Sequence, residues 1–188
     1  MDGFTLPSEF RALRWAHPRV VYDLLMCYAW ETVRTFSHND KQLQGTPGAI
    51  AVLHTNTRRL DYHPHVHLVM PAAAIDGQRR QWRTKRSNQA KGGYLFNHKA
   101  LAKVFRAKLL ANIEAAGLNL PDHYPVEWVV DCKSVGTGEK ALIYLGRYLY
   151  RGIPTTFPLF QTANFVFSSI AMIISIAVYG KWMKGSNI

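Results

Sequence analysis

The alternation of apolar and polar residues along the chain changes period several times. Across residues 18–39, Val21, Leu24, Leu25, Tyr28 and Val33 recur at roughly helical spacing, and Pro18 suits a first turn, so the pattern predicts a helix. Gly45-Thr46-Pro47-Gly48 reads as a turn. The apolar run at 49–55, AIAVLHT, predicts a short strand. Next comes His63-Pro64-His65-Val66-His67-Leu68-Val69-Met70, whose period of two predicts a second strand. Because Pro64 has no N–H for a ladder, that strand is expected to start near His65. Residues 78–93 are polar and basic and predict a loop. Residues 98–116 predict an amphipathic helix, with Leu101, Val104, Phe105, Leu109 and Ile113 on one stripe and Lys99, Lys103, Arg106 and Lys108 elsewhere. Gly117 would close it. EWVVDC at 127–132 reads as a strand, and 138–151 as a further helix. The order predicts an α+β domain whose helices cover one face of a mainly antiparallel sheet.

Composition narrows the partner. The 188 residues suffice for one domain with a sizeable core. A net charge of +11 and a pI near 9.9 favour a polyanion, either nucleic acid or an anionic membrane surface. All twelve acidic residues lie at or before Glu139. Two cysteines, Cys27 and Cys132, without a CxxC pair, exclude a disulfide scaffold or a cysteine zinc site and fit a reducing cytosol. MDGFTLPSEF carries acidic residues and no apolar run, so it is not a secretory signal.

Three features carry candidate chemistry. On a strand, residues two apart share a face, so His65 and His67 would project together, with His63 just ahead, while Val66, Leu68 and Met70 anchor the other face. Neighbouring neutral imidazoles make a metal clamp that leaves coordination positions open for a substrate phosphate. Leu68 and Val69 after His67 rule out the HxHxDH pattern of metallo-β-lactamase-like hydrolases. In Lys140-Ala141-Leu142-Ile143-Tyr144-Leu145-Gly146-Arg147-Tyr148-Leu149-Tyr150-Arg151, helical spacing puts Lys140, Tyr144 and Tyr148 on one stripe with Arg147 and Arg151 alongside. Cations beside a phenol favour its phenolate and attract phosphate. The segment Arg79-Arg80-Gln81-Trp82-Arg83-Thr84-Lys85-Arg86 holds five cations, one aromatic ring and no acid, a composition suited to contact with nucleic acid.

A histidine–hydrophobic–histidine strand followed by a helix with tyrosines four apart resembles the HUH endonuclease superfamily. More closely, HTNTRRLDYHPHVHLVMP, YLFNHKALAKVFRAKLL, EWVVDCK and EKALIYLGRYLYRG are similar to the two-tyrosine rolling-circle transposases of the insertion sequence 91 family. The resemblance covers roughly residues 1–153. It implies an HUH-endonuclease-like fold that performs DNA strand transfer on single-stranded transposon ends and target with a divalent metal, Mg2+ or Mn2+. The motif histidines carry over to His65 and His67, and His63 is a candidate accessory. The nucleophiles carry over to Tyr144 and Tyr148, with Lys140 and Arg147 on phosphate or phenolate. A third metal ligand is left open among His63, His54, Asp61 and Glu139. The setting implied is the bacterial cytoplasm, in association with DNA. Related proteins carry a cysteine-rich zinc-binding region ahead of this core, which this sequence lacks, so a truncated core is expected. The alternative reading is an inactive remnant that only binds DNA.

Beyond Ile153 the resemblance stops. Residues 152–180 contain no charge, and 163–179 are dense in Ile, Val and Phe. Three readings compete for this tail, placed at 154–188: a membrane segment within 157–180, a buried strand pair, or an out-of-frame extension. Asn164, Ser168, Ser169 and Ser175 weigh against the membrane.

Overall fold

A computed structural model describes residues 2–56, 62–85 and 95–132. The chain opens with strand β1 (Asp2–Thr5), a single 3-10 turn (Ser8–Phe10) and the short helix α1 (Arg11–Ala16). Helix α2 (Pro18–Asn39) follows, then strands β2 (Thr46–Pro47), β3 (Ile50–Asn56), β4 (Tyr62–Val69), β5 (Ala73–Asp76) and β6 (Gln81–Thr84). Helix α3 (His98–Ala115) and strand β7 (Val130–Cys132) complete the described elements. The architecture is α+β, with antiparallel pairing throughout two sheets ordered β3-β4-β1-β7 and β2-β5-β6.

Both long helices form where the pattern places them. Along α2 the buried positions Val21, Leu25, Ala29, Val33 and Ser37 fall four apart, one stripe of a 3.6-residue period. In α3 the buried stripe is Leu101, Ala102, Phe105, Leu109, Leu110 and Ile113. The Asn97 side chain accepts a hydrogen bond from the Ala100 N–H and caps the helix start. Gly117 takes φ +74° just past its end, where its N–H donates to the Glu114 carbonyl. The stripes pack with Phe4, Val66, Leu68 and Val130 in one core. Phe4 meets Phe105 edge-on at 4.9 Å, and Trp128 closes on Phe10 and Phe105 at 5.6 and 5.8 Å. Lys108 ties the helices together by donating to the Glu31 carbonyl and the Thr35 hydroxyl.

Several elements depart from the sequence expectations. The segment read as a turn at 45–48 carries strand β2, whose Thr46 and Pro47 pair with Ile75 and Ala74 of β5, and the strand read at 127–132 is confined to β7. Strand β4 begins at Tyr62 rather than near His65. Pro64 is tolerated because β1 pairs no further than His65 and because the β3 ladder is irregular between His54 and Asn56, so its missing N–H falls where the ladder is broken. Residues 78–93 are not all loop: 81–84 form β6, which pairs Ala73↔Thr84 through Asp76↔Gln81. Asp76 nucleates that hairpin by accepting the Gln78 and Arg79 N–H groups at 3.1 Å. Finally, β1 is an unexpected inner strand, inserted between β4 and β7. The expected helix at 138–151 and the tail at 154–188 lie outside the described residues.

Candidate metal centre and nucleic-acid interface

Alternation along β4 divides its side chains cleanly. Pro64, Val66 and Leu68 are buried towards the helices, so His63, His65 and His67 face the other side. Strand β3 lies antiparallel, with His54 opposite His65 and Val52 opposite His67. Val52 and His54 therefore share the histidine face, where Val52 and Val69 form a small separate cluster with Ile50. The rings of His54, His65 and His67 meet pairwise at centroid distances of 5.1, 4.6 and 4.8 Å. One ligand nitrogen from each lies within 4.8 Å of the others. His63 is exposed, sits 5.4 Å from His65 and is outside this group. Of the open candidates for a third ligand, the structure thus brings His54 to the motif pair; Asp61 and Glu139 lie outside the described residues.

The protonation states suit ligation. Nδ1 of His65 donates to the His63 carbonyl at 2.6 Å, because the carbonyl can only accept; the lone pair is thereby left on Nε2. Burial, reinforced by the neighbouring imidazoles, pushes His54 and His67 down to about 4, so both are neutral at pH 7. Nδ1 of His67 is buried without a hydrogen-bond partner among the described residues. Three imidazoles converging around a buried, unused ring nitrogen, two of them held neutral, fit a metal ion.

Asp131 was not singled out from the sequence. In β7 it stands opposite Gly3 of β1, which itself stands opposite His67, so one row across the sheet runs Val52, His67, Gly3, Asp131. Its charge acts to favour protonated His67, against the stronger effects of burial and His65. The available signal was its alternation with the buried Val130 and Cys132.

Lys140, Tyr144, Arg147, Tyr148 and Arg151 lie outside the described residues, as does Arg86. The rest of the basic segment is split by the structure. Arg79, Arg80 and Trp82 are exposed at and beside the β5–β6 turn, with Trp82 at 42%. Arg83 is held by Asp76 at 3.0 Å and by the Gln44 amide oxygen at 2.6 Å. Lys85 is tied to the Asp40 carboxylate and the Leu95 carbonyl and lies over the Phe96 ring. Burial alone would raise the Asp40 carboxyl, but hydrogen bonds from Lys85 and the Gln42 and Leu43 amides outweigh it and hold the group below its ordinary value. No helix among the described residues is long and apolar enough to cross a membrane.

The chain is similar to several known proteins. A family model described as "Putative transposase" matches residues 48–164, which include β3, β4 and the tyrosine-bearing segment. The "Putative transposase y4qJ" of Sinorhizobium fredii (strain NBRC 101917 / NGR234) is 31% identical over 170 residues, 79% of this chain. The chain spans 42% of the length of that relative. Among solved structures, the conjugative relaxase TrwC in complex with oriT DNA, metal-free, aligns at a TM-score of 0.47 and 18% identity over 89% of this chain and 64% of that one. Its metal-bound complex aligns at 0.46 and 17%, over 89% and 63%. The family match over more than half of the sequence places the chain in this transposase family, the insertion sequence 91-like group that its motif blocks resemble.

Proposed function

We propose that residues 1–153 are the strand-cleaving core of a transposase, acting on single-stranded DNA in the cytoplasm through a 5′-phosphotyrosine. The observation that carries this reading is the cluster of His54, His65 and His67 on the sheet face opposite the helices, within a chain of transposase family. These three side chains would hold a divalent ion, which supplies Lewis-acid polarisation of a phosphate oxygen. An all-imidazole set lacks the oxygen ligands that Mg2+ favours, so of the two expected ions Mn2+ is the better match.

The chain's own residues divide the remaining work. Strand β7 ends at Cys132, and the segment bearing Lys140, Tyr144 and Tyr148 follows it. The phenolic oxygen of Tyr144 bonds to phosphorus as the bond from phosphorus to the 3′-oxygen breaks. The phenolic proton is lost and the 3′-oxygen takes one up, leaving a free 3′-hydroxyl and a 5′-phosphotyrosine. Tyr148 serves a second cleavage and the return transfer. Lys140 and Arg147 hold the phosphate and lower the cost of the phenolate.

The test incubates the full chain with Mn2+ and a random-sequence single strand labelled at its 3′ end, and resolves products on a denaturing gel. Label migrating with the protein, lost in Tyr144→Phe and in His65→Ala, is the expected result. Cleavage by Tyr144→Phe as fast as by the parent overturns the nucleophile assignment. Strand binding with no adduct supports instead a remnant that only binds DNA.

A further inference from the structure

A second group of side chains lies where β4 begins, on helix α1 and strand β4, apart from the histidine cluster. Trp15 is 67% exposed, although its ring stacks on Tyr62 at 5.0 Å and an interplanar angle of 26°. Tyr62 is itself fixed: its hydroxyl is hydrogen-bonded to that of Tyr22 on α2, and the Arg14 guanidinium lies 5.1 Å from its ring centre. The indole is thus an exposed ring on a rigid base, unlike an ordinary surface tryptophan free to rotate.

Cations accompany it on helix α1 and at the start of α2. Arg14 is 1% exposed, and its Nε and Nη1 have no hydrogen-bond partner among the described residues. Among the described residues, the ionisable groups that act on it are Tyr62, Tyr22 and Arg11, with His63 in turn feeling its charge, and none of these is a carboxylate. Arg11 and Arg19 are exposed on either side of Trp15 in sequence. A buried cation with no carboxylate acting on it among the described residues, set against the Tyr62 ring on which the exposed indole stacks and near two exposed cations in sequence, suits a ligand that brings negative charge and flat rings together. Tyr62 is three residues from His65 along β4, about 10 Å at strand rise, and the odd separation places it on the helix side of the sheet, at the end of β4 and across from the histidine face.

We propose that Trp15 is a base-stacking platform for single-stranded DNA, with the positive charge of Arg11, Arg14 and Arg19 drawing the adjoining phosphates. The proposal deepens the strand-cleaving reading above and rests on it. The test measures fluorescence anisotropy of a labelled 20-nucleotide oligo-dT, and of an abasic strand of equal length, with the full 188-residue chain. Stacking contributes enough per base that Trp15→Ala is expected to weaken oligo-dT binding roughly 5- to 150-fold. Trp15→Phe should restore most of it, and the abasic strand should bind parent and Trp15→Ala alike. Parent-like binding of oligo-dT by Trp15→Ala overturns the platform while leaving the strand-cleaving reading standing. Equal losses on oligo-dT and the abasic strand also overturn it, since base stacking would then not be what was removed. A change of oligomeric state in Trp15→Ala without a change in DNA affinity assigns the ring to a protein contact and overturns it as well. If the parent binds neither strand, the strand-cleaving reading fails, and the platform with it.

Discussion

Acidifying the metal-free protein should remove a defined share of its stability, because two of its imidazoles are held neutral. His54 and His67 titrate at about 4 in the folded chain against an ordinary value of 6.5. Between those values the unfolded chain binds protons that the folded chain refuses. Stability is therefore fully present above pH 6.5 and is lost as the pH falls towards 4. The gap, 6.5 minus about 4, is roughly 2.5 units; at about 1.36 kcal/mol per unit, one ring contributes on the order of 3 kcal/mol. The rings lie 4.6 Å apart, so they titrate as a coupled pair and the total exceeds one ring's share without reaching twice it. The assay is urea unfolding in EDTA at pH 7.5, 6.5, 5.5 and 4.5, on the parent and on the double variant His54→Asn/His67→Asn. The parent should lose about 3–5 kcal/mol more than the variant over this range, a midpoint difference of roughly 1–5 M urea. Mn2+ at pH 6.5 should raise the parent's midpoint alone, since a folded-state ligand stabilises by mass action. Superimposable pH profiles for parent and variant would refute the reasoning, because the imidazoles would then be protonated as readily folded as unfolded.

Three further outcomes follow from particular contacts. His54→Ala should weaken Mn2+ binding by at least tenfold in calorimetry, whereas His63→Ala, outside the cluster, should change it less than about threefold. Gly45→Ala should cost about 1–3 kcal/mol in urea unfolding, because its Cβ would stand 2.5 Å from the Ile75 carbonyl oxygen, a backbone atom that cannot swing away. Lys85→Met should lower thermal stability by breaking its contacts with Asp40 and Leu95, while Arg79→Gln should leave melting unchanged and reduce the salt slope of single-strand binding by about one.

Local periodicity made α2, α3 and the pairing face of β4 readable, since each buries one stripe against a common core and a stripe is a property of consecutive residues. The same reasoning missed β1. Its four residues, Asp2–Thr5, contain one large apolar side chain, Phe4, and nothing local marks them as a strand. They become one because β4 and β7 each offer an unpaired edge, and Phe4 fills the space between Val66, Val130 and Phe105. Strand β6 was hidden for a related reason: Gln81, Trp82 and Thr84 are exposed, so no buried alternation reveals the pairing that the Asp76 turn imposes.

The third imidazole shows most clearly what a single sequence withholds. His65 and His67 share a face by alternation alone, but His54 joins them only through the register of β3 on β4. That register is set on the other side of the sheet, where Ala51 and Leu53 pack opposite Leu68 and Val66. With a side-chain period of two, a slip of one residue would turn His54 into the apolar core and bring Leu53 onto the histidine face. Burying an unpaired imidazole there and exposing a leucine are both unfavourable, so the core that selects the register also selects the ligand set. Substitutions at Ala51 or Leu53 that disturb this packing should therefore weaken metal binding without touching any histidine.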